Sequence, residues 1–361
     1  MTLVSIQYLR AVAALMVVAF HLLPQLLRMG YDGYRPYWLA GGVDVFFVIS
    51  GFIMWLTTAG RPVSTGGFYL KRIVRIVPLY WLLTSVAVAV LMAAPQLLQS
   101  TVYDPWHVVA SYLFVPAMRP GAQEITPVLH PGWTLNYEMF FYLLFGLALR
   151  LPERARLPAM AAALGALAGL GWLLAPALPP DGNVYLAFYT GDILLEFLAG
   201  MWLATLYLSG RSAPRGLGWA LLAAGFALMV ALPELLPGRS RLLVMGLPAI
   251  VIVLGALVLE RRGGVPRLRL PLLLGDASYS LYLSHPMVLS AAGQAWRRLG
   301  AAGLPGGLVL FCLAGLAIAV VAGLATYRLV EQPATSWLRR RLGRARPRPT
   351  TAPRTGEQAH G

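Results

Sequence analysis

The chain alternates stretches of roughly 20 apolar residues, the length a helix needs to cross a bilayer, with short breaks built from Pro, Gly and Arg. Ten such stretches can be marked off: 5–27, 38–58, 76–95, 132–150, 157–176, 185–208, 217–236, 242–260, 271–292 and 306–329. Charged residues make up 12% of the 361, about half of the roughly 25% usual in soluble domains. That supply cannot cover a core of this size, so the bilayer has to be the solvent. The fold expected is all-α, a polytopic transmembrane helical bundle of about ten spans. The stretch Trp106–Met118 is apolar but too short to span, which suits a re-entrant or interfacial piece.

Orientation follows from where the basic residues fall. With the N-terminus inside, thirteen lie in inner loops and seven in the tail, against seven in outer loops. Both termini are therefore expected in the cytoplasm, which agrees with an even number of spans. The net charge of +15 comes from these loop ends and not from a basic helix face, so nucleic acid is not an expected partner. Cys312 is the single cysteine; it excludes an intramolecular disulfide, and no metal is expected. The first apolar stretch lacks a basic n-region and is interrupted by Arg10 and His21, so it reads as a retained helix. Residues 1–338 form one transmembrane domain, and 339–361, basic and without apolar period, a disordered cytoplasmic tail.

Ionisable residues inside spans cost a few kcal/mol each and point to function. Arg10 and His21 are eleven residues apart on the first span, within about 20° of one face and roughly 16 Å apart along the axis. Either alone has an ordinary reading, a snorkelling arginine or an interfacial histidine. Their shared face makes the pair more informative. In the outer half, Asp44, Glu138 and His285 can cluster with His21, and a histidine beside a carboxylate is the usual arrangement for activating a hydroxyl. For Asp44 and Glu138 the ordinary alternative is hydrogen bonding between helices. On the inner side lie Arg10, Lys71, Arg72, Arg75, Arg328 and Glu331. Arg72 and Arg75 share a helix face, and paired guanidiniums suit phosphates, although cytoplasmic positive charge explains any one of them. A phosphate-bearing donor reaching from the cytoplasm toward an extracytoplasmic hydroxyl would use both groups.

The stretches SIQYLRAVAALMVVAFH (5–21), GGVDVFFVISGF (41–52), FYLKRIVRIVPLYW (68–81), GWTLNYEMFFYLLF (132–145), LGDASYSLYLSHPMV (274–288) and YRLVEQP (327–333) resemble acyltransferase family 3, membrane-bound O-acyltransferases of bacterial envelope glycans. GWTLNYEMFFYLLF looks most like the exopolysaccharide-production, ExoZ-type branch, which acetylates extracellular polysaccharide. The resemblance implies acetyl-CoA or another acyl-CoA as donor, a hydroxyl of a polysaccharide or lipid-linked glycan as acceptor, and the bacterial inner membrane as location. It places the family's arginine–histidine motif on Arg10 and His21, and its paired arginines on Arg72 and Arg75. The glycine-rich second span falls on Gly41, Gly42 and Asp44, and the glutamates on Glu138 and Glu331. His21 is then the base, Asp44 or Glu138 its orienting carboxylate, and Arg10, Arg72 and Arg75 the phosphate ligands. Tyr279, His285 and Arg328 are further candidates. Acceptor choice is expected in the outer loops 96–131 and 177–184.

Two other classes fit the same charges: a transporter or flippase for a lipid-linked glycan, and a non-catalytic partner of a polysaccharide synthase. Against transport, no pair of Gly/Pro-interrupted spans recurs in corresponding halves. A synthase partner would tolerate apolar residues at 10 and 21.

Overall fold

The computed structural model describes residues 3–94, 102–174, 183–263 and 265–344. The helices in chain order are α1 (Val4–Phe20), α2 (Leu23–Arg28), α3 (Gly42–Thr58), α4 (Thr65–Ala93), α5 (Pro105–Tyr112), α6 (Gly132–Ala148), α7 (Glu153–Leu174), α8 (Val184–Tyr189), α9 (Leu194–Leu208), α10 (Arg215–Leu235), α11 (Leu247–Arg261), α12 (Arg269–Asp276), α13 (Ser278–Arg298), α14 (Gly307–Thr326) and α15 (Gln332–Arg344). Among the described residues the one extended pairing is an isolated bridge, Met118 to Ile125.

Eight helical runs are long and apolar enough to cross a membrane: Val4–Arg28, Tyr37–Thr58, Thr65–Ala93, Glu153–Leu174, Val184–Leu208, Arg215–Leu235, Leu242–Arg261 and Gly307–Leu342. Their outer faces expose Trp172, Trp202, Trp219, Val309, Leu313 and Val321, a surface that only lipid covers without cost. The chain is an all-α, multi-pass membrane protein.

Two of the ten expected spans fall outside this set. α6 has only 17 residues. The stretch expected at 271–292 breaks at Ala277 into α12 and α13, and α13 carries Ser278, Tyr279, Ser280, Tyr282, Ser284 and His285. Two boundaries also move. The third span was expected from 76, yet α4 starts at Thr65, where Ser64 Oγ caps it by accepting from the Gly67 N–H at 3.2 Å. Lys71, Arg72 and Arg75 therefore lie on helix, in register with the membrane-buried part. The first span ends its regular ladder at His21, because Pro24 has no N–H to offer the Phe20 carbonyl.

The stretch at 106–118 folds as α5 against α4. Asp104 caps it through the His107 N–H at 2.6 Å, while Tyr80 and Trp81 donate to the Ser111 and Tyr112 carbonyls at 3.0 and 2.9 Å. The domain boundary expected at 339 falls inside α15, which reaches Arg344. The rest of that tail, 345–361, and the outer-loop stretches 96–101 and 177–182 lie outside the described residues.

Small residues set how the helices approach one another. A Cβ on Gly51 of α3 would lie 2.0 Å from the Phe197 carbonyl oxygen, and one on Gly200 of α9 2.0 Å from that of Val48. The two backbones thus touch at a reciprocal glycine crossing, the kind of contact that drives helix association in lipid. Gly42 does the same between α3 and α1, where a Cβ would sit 2.5 Å from the Ala13 carbonyl oxygen. Gly275 brings α12 against Gln7 of α1. These contacts place Arg10 and His21 at the centre of the bundle.

Candidate active site

α1, α3, α4, α6 and α13 enclose a cavity of about 280 Å³. Its walls are mostly apolar, with Leu3, Ile6, Phe46, Phe47, Ile53 and Ile76 among them, and into it project Arg10, Arg72, Arg75 and Glu138. Arg10 is held at both ends of its guanidinium, Nη1 donating to Gln7 Oε1 at 3.1 Å and Nη2 to Ser278 Oγ at 2.9 Å. Arg72 lies over the rings of Phe68 and Tyr142, 5.6 and 5.8 Å from their centroids, and its buried Nε–H has no hydrogen-bond partner among the described residues. Arg75 follows one turn later and is close enough to Arg10 and Glu331 to act on both. Glu138 accepts from Ser50 Oγ at 2.9 Å and from the Tyr142 hydroxyl. The three arginines expected together are together; Glu138 joins them, whereas the expectation placed it with His21.

His21 caps α1 about three helical turns beyond Arg10. Its Nδ1 faces the Val17 carbonyl at 2.8 Å. A carbonyl only accepts, so Nδ1 carries the hydrogen and Nε2 presents a lone pair. The ring sits 4.8 Å from that of His285 and 5.8 Å from that of His130. Among the described residues no carboxylate hydrogen-bonds to His21, so the orienting group is the helix's own carbonyl. His130, delivered by the turn before α6, is a neighbour of His21 that span-by-span reading passes over, because it lies in a loop. Burial, then His21 and Arg119, push its imidazole down to about 4, which keeps it neutral. Among the described residues no group of three His, Cys, Asp or Glu is placed to hold a metal.

Asp44 is fully buried and faces Arg241, whose Nη2 and Nε donate to its two oxygens at 2.6 and 2.9 Å. Arg241 also lies 5.8 Å from the Trp133 centroid. Burial opposes its charge, but Asp44 and then Glu196 hold the guanidinium above its ordinary range. Asp44 is thereby engaged in tying α3 to the π-helical turn Leu242–Gly246 that leads into α11.

Of the other candidates, Glu331 lies in a second π-helical turn, Tyr327–Glu331, and accepts from Ser280 Oγ at 2.6 Å. Tyr279 lines the cavity, and its hydroxyl donates to the Ile76 carbonyl at 2.7 Å. Gly41 packs on Met229, and Gly42 makes the α1 contact described above. Arg328 is exposed and is not part of the cavity wall. Ser278, Tyr142 and Tyr282 belong to the wall without having stood out in the sequence. Tyr282 joins the two halves of the site: it lines the cavity, its ring is 6.1 Å from that of His285, and its hydroxyl meets Thr134 Oγ1 at 2.9 Å.

The bundle thus holds a cavity lined by three arginines and, outside its wall, two histidines in ring contact. Residues 3–327 match the family defined by an acyltransferase domain, and the chain belongs to that family. It is 43% identical over 310 residues, 85% of this chain and 91% of the relative, to the exopolysaccharide production protein ExoZ of Rhizobium meliloti (strain 1021). It is 29% identical over 331 residues, 84% of this chain and 82% of the relative, to the acyltransferase MdmB of Streptomyces mycarofaciens. No solved structure matches the chain.

Proposed function

We propose that this acyltransferase moves an acetyl group from cytoplasmic acetyl-CoA, or another acyl from its CoA ester, to a hydroxyl of an extracytoplasmic polysaccharide or its lipid-linked precursor. The observation that carries the reading is the convergence of Arg10, Arg72 and Arg75 on one apolar-walled cavity, with His21 farther along α1. Guanidiniums bind phosphate oxygens in pairs, and the unpartnered Nε–H of Arg72 is a donor left for such a ligand. The apolar walls suit the arm and acyl group of the donor.

His21 supplies the base. As the acceptor oxygen bonds to the acyl carbon, its proton moves to His21 Nε2. The C–S bond then breaks, and the proton ends on the thiolate of CoA. Histidine bases of this kind contribute roughly 10²–10⁴-fold. In this reading Glu138, tied to Ser50 and Tyr142, sets the charge of the donor cavity, and Asp44 fixes the helices around it. α6 and α13 also cross the bilayer, giving ten spans with both termini in the cytoplasm of a bacterial inner membrane. Relation to a protein named for exopolysaccharide production supports the choice of acceptor.

The test is mass analysis of surface glycans from cells carrying either the wild-type protein or His21→Ala. The variant is expected to insert and accumulate normally while glycan acetylation disappears. Wild-type acetyl levels in the variant would remove His21 from the chemistry.

A further inference from the structure

The arginine-lined cavity stops short of the histidines. His21 and His285 are not among its lining residues, whereas Phe46 of α3 and Tyr282 of α13 are. Between ring centroids, Phe46 is 6.0 Å from Tyr282, Tyr282 is 6.1 Å from His285, and His285 is 4.8 Å from His21. The four rings follow one another from the cavity to His21. Backbone packing gives the same order. Gly42, where α3 begins, lies against Ala13 and Val17 of α1, beyond Arg10 and short of His21. Phe46 is one turn into α3, and long side chains on a helix lean toward its N-terminus, here toward the histidines. Val43 and Ser50, three residues before it and four after, line the cavity with it, so its ring is on the face of α3 that the cavity follows.

The two rings of this end wall are held differently. The Tyr282 hydroxyl is within hydrogen-bonding distance of Thr134 Oγ1 at 2.9 Å and of the Pro131 carbonyl at 3.2 Å. Phe46 has no polar atom, is only partly buried, and packs against the small cluster that includes Ala14, Val18 and Leu281. Its neighbour Phe47 also reaches the wall, but that ring is wedged among Trp133, Tyr137 and Phe197. Phe46 is thus the ring whose volume decides how much room is left at the histidine end of the cavity.

We propose that Phe46 is the specificity-determining residue for the acyl group, its ring occupying the space that a chain longer than acetyl would need. The inference rests on the cavity being the donor site and His21 the base. With the CoA phosphates on the arginines, the thioester carbon has to come to the histidine end, so the acyl chain lies against this wall. Each added methylene then competes with the Phe46 ring for the same volume, and a close-packed wall does not yield that volume freely.

The experiment uses the purified full-length protein and, as acceptor probe, the host's own exopolysaccharide stripped of esters by base. Acetyl-CoA, butyryl-CoA and hexanoyl-CoA are compared by the kcat/KM of polysaccharide-dependent CoA release. Wild type is expected to favour acetyl over butyryl by about 100-fold or more, as two methylenes at a fitted wall allow. In Phe46→Ala that preference is expected to shrink at least about tenfold, with hexanoyl-CoA becoming a substrate. Phe46→Leu keeps apolar packing and gives up part of the ring. It is expected to lie between the two, and it decides the matter should the alanine variant fail to accumulate. Because the ratio is taken within one preparation, a loss of folded protein lowers both rates and leaves it unchanged. A wild type that transfers butyryl as readily as acetyl overturns the proposal, as does an unaltered ratio in the variants. A wild-type protein that releases CoA from none of the three thioesters would instead overturn the donor assignment, and this inference with it.

Discussion

In the proposed reading Arg72 binds the donor, and three features set it apart from an arginine that merely marks a cytoplasmic loop. Its guanidinium lies over two aromatic rings, its Nε–H is buried without a partner, and it faces a cavity rather than water. Lysine would keep the charge but lose both the planar stack and the forked donors. Arg72→Lys is therefore expected to raise the KM for acetyl-CoA about tenfold or more with a smaller effect on kcat, read from steady-state release of CoA. An unchanged KM would take Arg72 out of the donor site. Residues like this one were legible in the sequence because helical spacing alone decides whether 10 and 21, or 72 and 75, share a face. Partners far along the chain were not. Asp44 and Arg241 are 197 positions apart, and nothing local marks one as the counter-ion of the other. The same blindness put Glu138 with His21, since its depth was readable but its rotation toward Ser50 and the arginines was not.

At the level of elements, the site depends on irregularities that hydropathy smooths over. The break at Ala277 lets Ser278 meet Arg10, and the π-helical turns at Leu242–Gly246 and Tyr327–Glu331 adjoin Arg241 and carry Glu331. Such turns insert one residue into the ladder and rotate the helix beyond it, which no periodicity count anticipates. α13 also lacks the apolarity of a span because of its polar side chains, of which Ser278, Tyr279 and Tyr282 line the cavity. The Arg241–Asp44 pair locks α3 to the start of α11, and removing one member of a buried pair costs roughly 3–5 kcal/mol. Asp44→Ala is expected to lower the melting temperature in detergent sharply and reduce accumulation. The double change Asp44→Leu with Arg241→Met should recover much of that loss, since a matched apolar pair leaves no buried charge. A single Asp44→Ala variant as stable as wild type would show that the pair is not a structural tie.

For the molecule as a whole, composition alone dictated a helical bundle in lipid; eight of the ten long apolar runs were found, although α4 starts at Thr65 and not at 76, and the stretch 271–292 is broken at Ala277. What composition could not supply is the relation between the arginine-lined cavity and the histidines, which arises because glycine crossings press α1 against α3 and α12. The central claim is that these two compartments belong to one catalyst. Its most direct test is purified protein in detergent, without any sealed compartment, given labelled acetyl-CoA and ester-stripped exopolysaccharide. Label appearing on the polysaccharide with wild type, and absent with His21→Ala, is the outcome predicted. No label transfer by wild-type protein in detergent, with acetylation only across intact vesicles loaded on one side, would contradict it and point to transport instead.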